Sequence, residues 1–290
     1  MKHKRRNLKD RMIEIVKANG EREIYHESKL ADSLRKAGAS EDFTERILDE
    51  IEDQLYDGIS TREIYRKAFR LLKSHSRAMA SRYELKKSIM ALGPAGYPFE
   101  KFIGELLRNQ GFRVQTGILA EGQCVTHEID VIAEKNSVQR MIECKFHHQA
   151  GNICNVKIPL YIQSRFLDIK KKWEEQDASG RKRFEGWVVN NTRFSEDAIQ
   201  YARCVGLHLL SWDYPAENSL KKQISYSGLY PVTCLTSLRK SEKKELLHRD
   251  LVLCRQLCEK PGVLREIGIS EARSRNILSD AKALCHAMKG

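Results

Sequence analysis

Three residues near the middle of the chain have the types and spacing to do hydrolytic chemistry on a phosphate ester. Asp130 interrupts the apolar run Ile129, Val131, Ile132, where a carboxylate is costly unless it is paired or holds a metal. Further on, in Arg140-Met141-Ile142-Glu143-Cys144-Lys145-Phe146, a strand's period of two puts Glu143 and Lys145 on one face and Cys144 on the other. If the two runs are neighbouring strands, Asp130, Glu143 and Lys145 converge. Two carboxylates suit Mg²⁺ (or Mn²⁺), a hard cation that keeps several waters and takes phosphate oxygens as ligands. Such a metal orients or acidifies a water and offsets charge on the phosphorane, while a neighbouring lysine positions the nucleophile or the phosphate. The expected chemistry is metal-assisted hydrolysis of a phosphodiester.

The elements that must hold these residues are legible on either side. Gly93-Pro94-Ala95-Gly96-Tyr97-Pro98 is punctuation of the kind that marks a domain boundary. Phe99, Phe102, Ile103, Leu106 and Leu107 then repeat at helical spacing up to Gly111. Strands are expected over 113–118, 128–133 and 140–146. The segment GWVVNNTRFSEDAIQYARCVGLHLLSWDYP reads as strand, helix capped by Ser195, and strand, completing a mixed sheet. His127, Glu128, His147 and His148 flank the three residues and are candidates to support them. Lys157, Tyr161 and Arg165 stand four apart, and on one helix face they would form a phosphate-binding ladder.

Asp, about a dozen residues, then Glu-x-Lys resembles the signature of the PD-(D/E)xK nucleases. With the preceding helix PFEKFIGELLRNQGF, the region is similar to the Mrr-like branch of the restriction-endonuclease fold. The resemblance implies that Asp130 and Glu143 are metal ligands and Lys145 the catalytic lysine. It places Glu100, rather than Glu105, as an auxiliary catalytic acid.

Toward the N-terminus, an apolar stretch over Met12 to Val16, the tight-turn pair Asn19-Gly20 and the apolar pair Ile24-Tyr25 read as a short hairpin. Helical stripes follow: Leu30, Leu34 and Ala37; Phe43, Ile47, Ile51 and Leu55; Ile64, Ala68, Leu71 and Leu72. The strings IVKANGEREIYHESKLADSL, YDGISTREIYRKAFRLL and SRYELKKSI together resemble the ATP-cone, a regulatory nucleotide-binding module best known from ribonucleotide reductases. A lysine beside a tight turn and a hydroxyl at a helix start are reasonable phosphate partners. The resemblance implies that Lys17, Lys29 and Thr61 approach the triphosphate of ATP or dATP, with Lys87 as a further lysine and Ile15 and Val16 bordering the base. It also implies nucleotide-dependent assembly, hence a homo-oligomer.

The C-terminal stretch is helical, and PGVLREIGISEARSRNILSDAKAL resembles a helix-hairpin-helix. Such a unit would bring Arg265, Arg273, Arg275 and Lys282 to DNA phosphates, where Lys157 and Arg165 of the central ladder would join them; a helical cap or a dimer surface is the alternative reading of these helices. The chain's 290 residues carry 51 Lys and Arg against 39 Asp and Glu, a formal charge of +12. The excess gathers at the two ends, around a nearly balanced middle. No apolar run is long enough to span a bilayer. The charged start MKHKRRNLKDRM lacks a secretory apolar core, so a cytoplasmic protein without membrane contact is expected. The eight cysteines include no C-x-x-C pair and read as free thiols. Cys254 and Cys258 share a helix face that would hold a metal only if Cys285 or His248 joined them.

The expected fold is multidomain α+β. An ATP-cone of hairpin plus helical bundle occupies 1–92. A restriction-endonuclease-like α/β core with a mixed sheet spans 93–225, and a small helical domain spans 226–290. The expected function is a Mg²⁺-dependent DNA endonuclease governed by ATP or dATP. The alternative is a nucleotide-sensing DNA-binding or regulatory protein whose nuclease fold is silent.

Overall fold

The computed structural model describes residues 12–17 and 19–285; the charged start of the chain lies outside them. The chain divides into two compact units, Met1–Glu84 and Leu85–Gly290. The division falls some residues before the Gly-Pro linker, and the stretches expected as separate central and C-terminal domains belong to one unit.

The first unit begins with the hairpin β1 (Glu14–Val16) and β2 (Arg22–Ile24). Its turn works because Gly20 adopts φ +85°, a conformation only glycine takes without strain, while the Asn19 side chain accepts the Glu21 N–H at 3.2 Å. Helix α1 (Glu27–Lys36) follows, then α2 (Glu41–Glu52), strand β3 (Ile59–Ser60), α3 (Thr61–His75) and α4 (Arg77–Tyr83). The Oγ atoms of Ser40, Ser60 and Ser76 cap α2, α3 and α4 by accepting the N–H three residues on. The apolar stripes read from the sequence form one core of Leu30, Leu34, Ile47, Ile51, Ile64, Ala68 and Leu72, with Ile15 and Ile59 from the strands. β3 was not expected. It pairs parallel to β1, Ile15 with Ile59 and Val16 with Ser60, and brings the start of α3 beside the hairpin.

The second unit opens with α5 (Leu85–Met90) and α6 (Tyr97–Asn109). A meander follows: β4 (Arg113–Glu121), β5 (Thr126–Lys135) and β6 (Val138–Lys145). After the short β7 (Ile153–Cys154) come α7 (Lys157–Gln176), β8 (Arg183–Asn190), β9 (Arg193–Phe194), α8 (Glu196–Val205) and β10 (His208–Leu210). The sheet order is β10-β8-β6-β5-β4. β4, β5 and β6 are antiparallel, while β6, β8 and β10 are parallel, so the sheet is mixed. Period two sorts its side chains: Met141 and Val188 pack with Ile162 and Phe166 of α7. Their neighbours Ile142 and Val189 line, with Ile103 and Leu106 of α6, a cavity of about 240 Å³.

The chain ends with α9 (Leu220–Ser227), a 3₁₀ turn Val232–Cys234, α10 (Lys240–His248), α11 (Cys254–Glu259), α12 (Val263–Glu266) and α13 (Glu271–Cys285). This module is fastened to the rest of the unit through Thr233. Its hydroxyl donates to the Ser88 carbonyl at 2.7 Å, and Lys243 Nζ donates to the Thr233 carbonyl at 2.7 Å.

Candidate functional site

The three residues that opened the sequence reading do meet. β5 and β6 are antiparallel neighbours, paired up to Val131 with Ile142. Just beyond that pair the strands exchange a side-chain bond, the Cys144 N–H donating to Asp130 Oδ2 at 2.7 Å. Lys145 Nζ lies 2.5 Å from Glu143 Oε1. Glu143 is 5 % exposed, and a carboxylate so placed needs compensation. Its second oxygen receives it from Arg165 Nη1 of α7 at 2.7 Å. The other guanidinium nitrogen of Arg165 donates to the Glu128 carbonyl, so one side chain ties α7 to both β5 and β6.

Acidic groups dominate the rest of the site. Burial, then the Glu143 charge, pushes the Asp130 carboxyl up to about 6, against the bond from the Cys144 N–H and the nearby Lys145 and Arg165 charges. Glu100, near the start of α6, is pushed up to about 7 by burial and then by Asp130, Glu143 and Glu128. Glu100 thus faces the cluster, whereas Glu105 is turned to Arg108 at 2.6 Å. These are hard oxygen donors crowded enough to repel one another, which suits a divalent cation. Among the described residues no group of three or more His, Cys, Asp and Glu side chains is arranged to hold a metal ion; an ion here would rest on few protein ligands.

Two devices hold the site's rim. Asn191, fully buried after β8, accepts the His147 N–H and donates to the His147 carbonyl, both at 2.8 Å. It thereby continues the β6–β8 ladder beyond Lys145. Asp168 of α7 takes the Cys124 N–H at 2.8 Å and His127 Nε2 at 2.7 Å, clamping the β4–β5 turn. Chiefly through the His127 bond, its carboxyl is held down to about 2. The Asp168 clamp was not anticipated, since Asp168 is separated from its partners by more than forty residues.

Several expected site residues are placed differently. Arg165 is not on an exposed phosphate ladder; it is 12 % exposed and committed to Glu143. Lys157, at the exposed start of α7, remains open to solvent. Arg273 is not free for DNA either, because it forks onto Glu242 at 2.5 and 3.0 Å and donates to the Ser237 carbonyl. Arg275 is exposed. The stretch expected as a helix-hairpin-helix folds as the one-turn α12, a turn at Gly268 with φ +80°, and α13. Cys258 and Cys285 do make side-chain contact, yet the metal cluster that would have needed them is absent among the described residues.

In the first unit, Ile15 is buried and Val16 half-buried. Lys17 pairs with Glu23 at 2.9 Å and Glu21 at 3.6 Å, and Lys29 approaches the same Glu23 at 3.4 Å. Two of the expected phosphate-binding cations thus converge on one carboxylate. Thr61 is the first residue of α3, directly after the cap Ser60. Lys87 lies in α5 of the second unit.

Comparison with known proteins gives the class first. Residues 13–88 match the ATP cone domain family, and residues 230–285 match the family described as AF1548-like, C-terminal. The chain is 37 % identical over 181 residues to an uncharacterized protein of Archaeoglobus fulgidus, covering 62 % of this chain and 98 % of that protein. A crystal structure titled as a protein of unknown function, AF1548, matches with a TM-score of 0.54 and 35 % identity over 66 % of this chain and 98 % of that one. The chain belongs to this AF1548-like family and carries an ATP cone.

Proposed function

We propose that the second unit is a divalent-metal-dependent nuclease acting on DNA, and that the ATP cone adjusts its activity or assembly in response to ATP or dATP. The observation that carries this reading is the convergence of Asp130, Glu143 and Lys145 with Glu100 beside them, two of the three carboxyls pushed well above their ordinary values. Asp130 and Glu143 would hold Mg²⁺ or Mn²⁺. The bound metal would polarise the phosphate and lower the pKa of an attacking water. Lys145 would leave Glu143 for a phosphate oxygen, and Arg165 would keep Glu143 oriented. Glu100 adds a further carboxylate facing the same point. Incubation with duplex and single-stranded DNA plus Mg²⁺ or Mn²⁺, with and without ATP or dATP, tests the proposal. Cleavage abolished by Asp130→Asn and by Lys145→Ala is expected. No cleavage in any condition, or cleavage that survives both substitutions, refutes it.

A second reading has an observation of its own. Both oxygens of Glu143 are already neutralised by Lys145 and Arg165, a self-satisfied arrangement that also suits a silent site in a nucleotide-sensing DNA-binding regulator. Salt-sensitive DNA binding without turnover selects that reading.

A further inference from the structure

β4 is an edge strand of the sheet, and it is long and free of proline and lysine. Natural edge strands are kept from pairing by being short, by proline, by charged residues, above all lysines, by bulges or by a covering element. β4 has nine residues, Arg113-Val114-Gln115-Thr116-Gly117-Ile118-Leu119-Ala120-Glu121, with no proline and no lysine. None of its residues is buried, even on the alternate set Val114, Thr116, Ile118 and Ala120. Leu119 is 74 % exposed. One side chain reaches the strand's backbone, Arg108 Nη2 to the Val114 carbonyl at 3.2 Å.

The charges and the kink of this strand are arranged symmetrically. Arg113 and Glu121 are its two charged residues and stand at its two ends, equidistant from Gly117. Gly117 itself has φ +64°, and the ladder to β5 skips it, passing from Thr116–Val131 to Ile118–Ile129. Consider two copies of β4 laid antiparallel about a two-fold axis at Gly117. Arg113 of each copy then faces Glu121 of the other, Gln115 faces Leu119, and the two kinks coincide where neither copy has a side chain. Sliding the register sets a kink against a straight segment and parts the opposite charges. An isologous contact requires one patch to complement itself, and this strand does so in one register.

We propose that β4 is a homodimerisation edge, its occupant the β4 strand of a second copy, joining the two sheets into one by strand addition. The contact is independent of what the acidic site does. Arg113 also pairs with Glu134 of its own chain at 2.8 Å while 83 % exposed; Glu121→Arg tests the interface without touching that pair.

The test uses the full chain without nucleotide, by light scattering coupled to sizing chromatography over micromolar concentrations. Wild type is expected as a dimer. Arg113→Glu and Glu121→Arg should each raise its dissociation constant at least tenfold, and the double exchange Arg113→Glu/Glu121→Arg should restore it. Register is read by disulfide trapping. Gln115→Cys chains mixed with Leu119→Cys chains should cross-link, and neither should do so alone, above the background set by the exposed Cys124 and Cys204. A monomeric wild type, a double exchange that fails to recover the dimer, or mixed chains that link no better than single ones would overturn the proposal.

Discussion

Replacing Asp130 by Asn should make the second unit more stable at neutral and alkaline pH, even though it removes a central group of the candidate site. In the folded chain burial and the Glu143 charge raise the Asp130 carboxyl from 3.8 to about 6. At about 1.4 kcal/mol per pKa unit, the ionised form costs about 3 kcal/mol relative to the unfolded chain. Allowing for the part of the carboxyl that solvent still reaches brings this to about 2 kcal/mol. The sign follows from proton binding: between about pH 4 and pH 6 the folded state holds more protons than the unfolded one, so stability falls as pH rises through that window. Asparagine keeps an oxygen for the Cys144 N–H and carries no charge. The gain should be about 2 kcal/mol at pH 8 and shrink below about 1 kcal/mol at pH 4.5. All three tryptophans, Trp173, Trp187 and Trp212, lie in the second unit, so urea unfolding followed by tryptophan fluorescence reports on it at both pH values. If the acidic cluster binds a metal, millimolar Mg²⁺ raises the wild-type midpoint at pH 8 and leaves Asp130→Asn unmoved, since only the form that binds is stabilised. A variant less stable than wild type at pH 8, or a difference that ignores pH, refutes the account of the cluster as mutually repelling carboxylates.

Arg165→Met should destabilise the second unit by about 3 kcal/mol, because it strands a buried carboxylate, and Glu143→Gln in the same chain should return part of that loss, measured as a double-mutant cycle in urea. Asp168 is held at about 2, so its contribution is full above about pH 4 and fades as pH falls toward 2; Asp168→Asn should lower the urea midpoint at pH 7 and match wild type near pH 2. In the first unit Leu34, completely buried, should cost about 3 kcal/mol on truncation to Ala. ATP at a hundred times its Kd should add back about 2.7 kcal/mol by mass action, read as a recovered melting temperature by calorimetry.

What could be read from the sequence follows from the range of the interactions. Strand period two fixes a face, so Glu143 and Lys145 were separable from Cys144 without a structure, and Asp130 announced itself by breaking an apolar run. The apolar stripes of the first unit and the cap at Ser195 are likewise local. Helical spacing alone does not say which side of a helix meets the sheet. That is why Arg165 read as a surface cation when it is the partner of Glu143, twenty-two residues away. Arg273 misled in the same manner, since Glu242 lies thirty-one residues off, and charge spacing does not show Lys17 and Lys29 both reaching Glu23. β3, two residues long, has no periodicity to detect. The joining of the C-terminal helices to the start of the second unit depends on pairs such as Thr233 with Ser88, which no local pattern connects.

That last bond bears on how the protein is made. Ser88 and Thr233 are 145 residues apart, so the second unit leaves its start and its end to be joined only after nearly the whole chain has left the ribosome. At about 5–20 residues per second the interval is on the order of ten seconds. The core of the first unit needs nothing beyond its own residues, and it can close at once. For those seconds each nascent chain carries a finished first unit while the second still lacks the contact that joins its two ends.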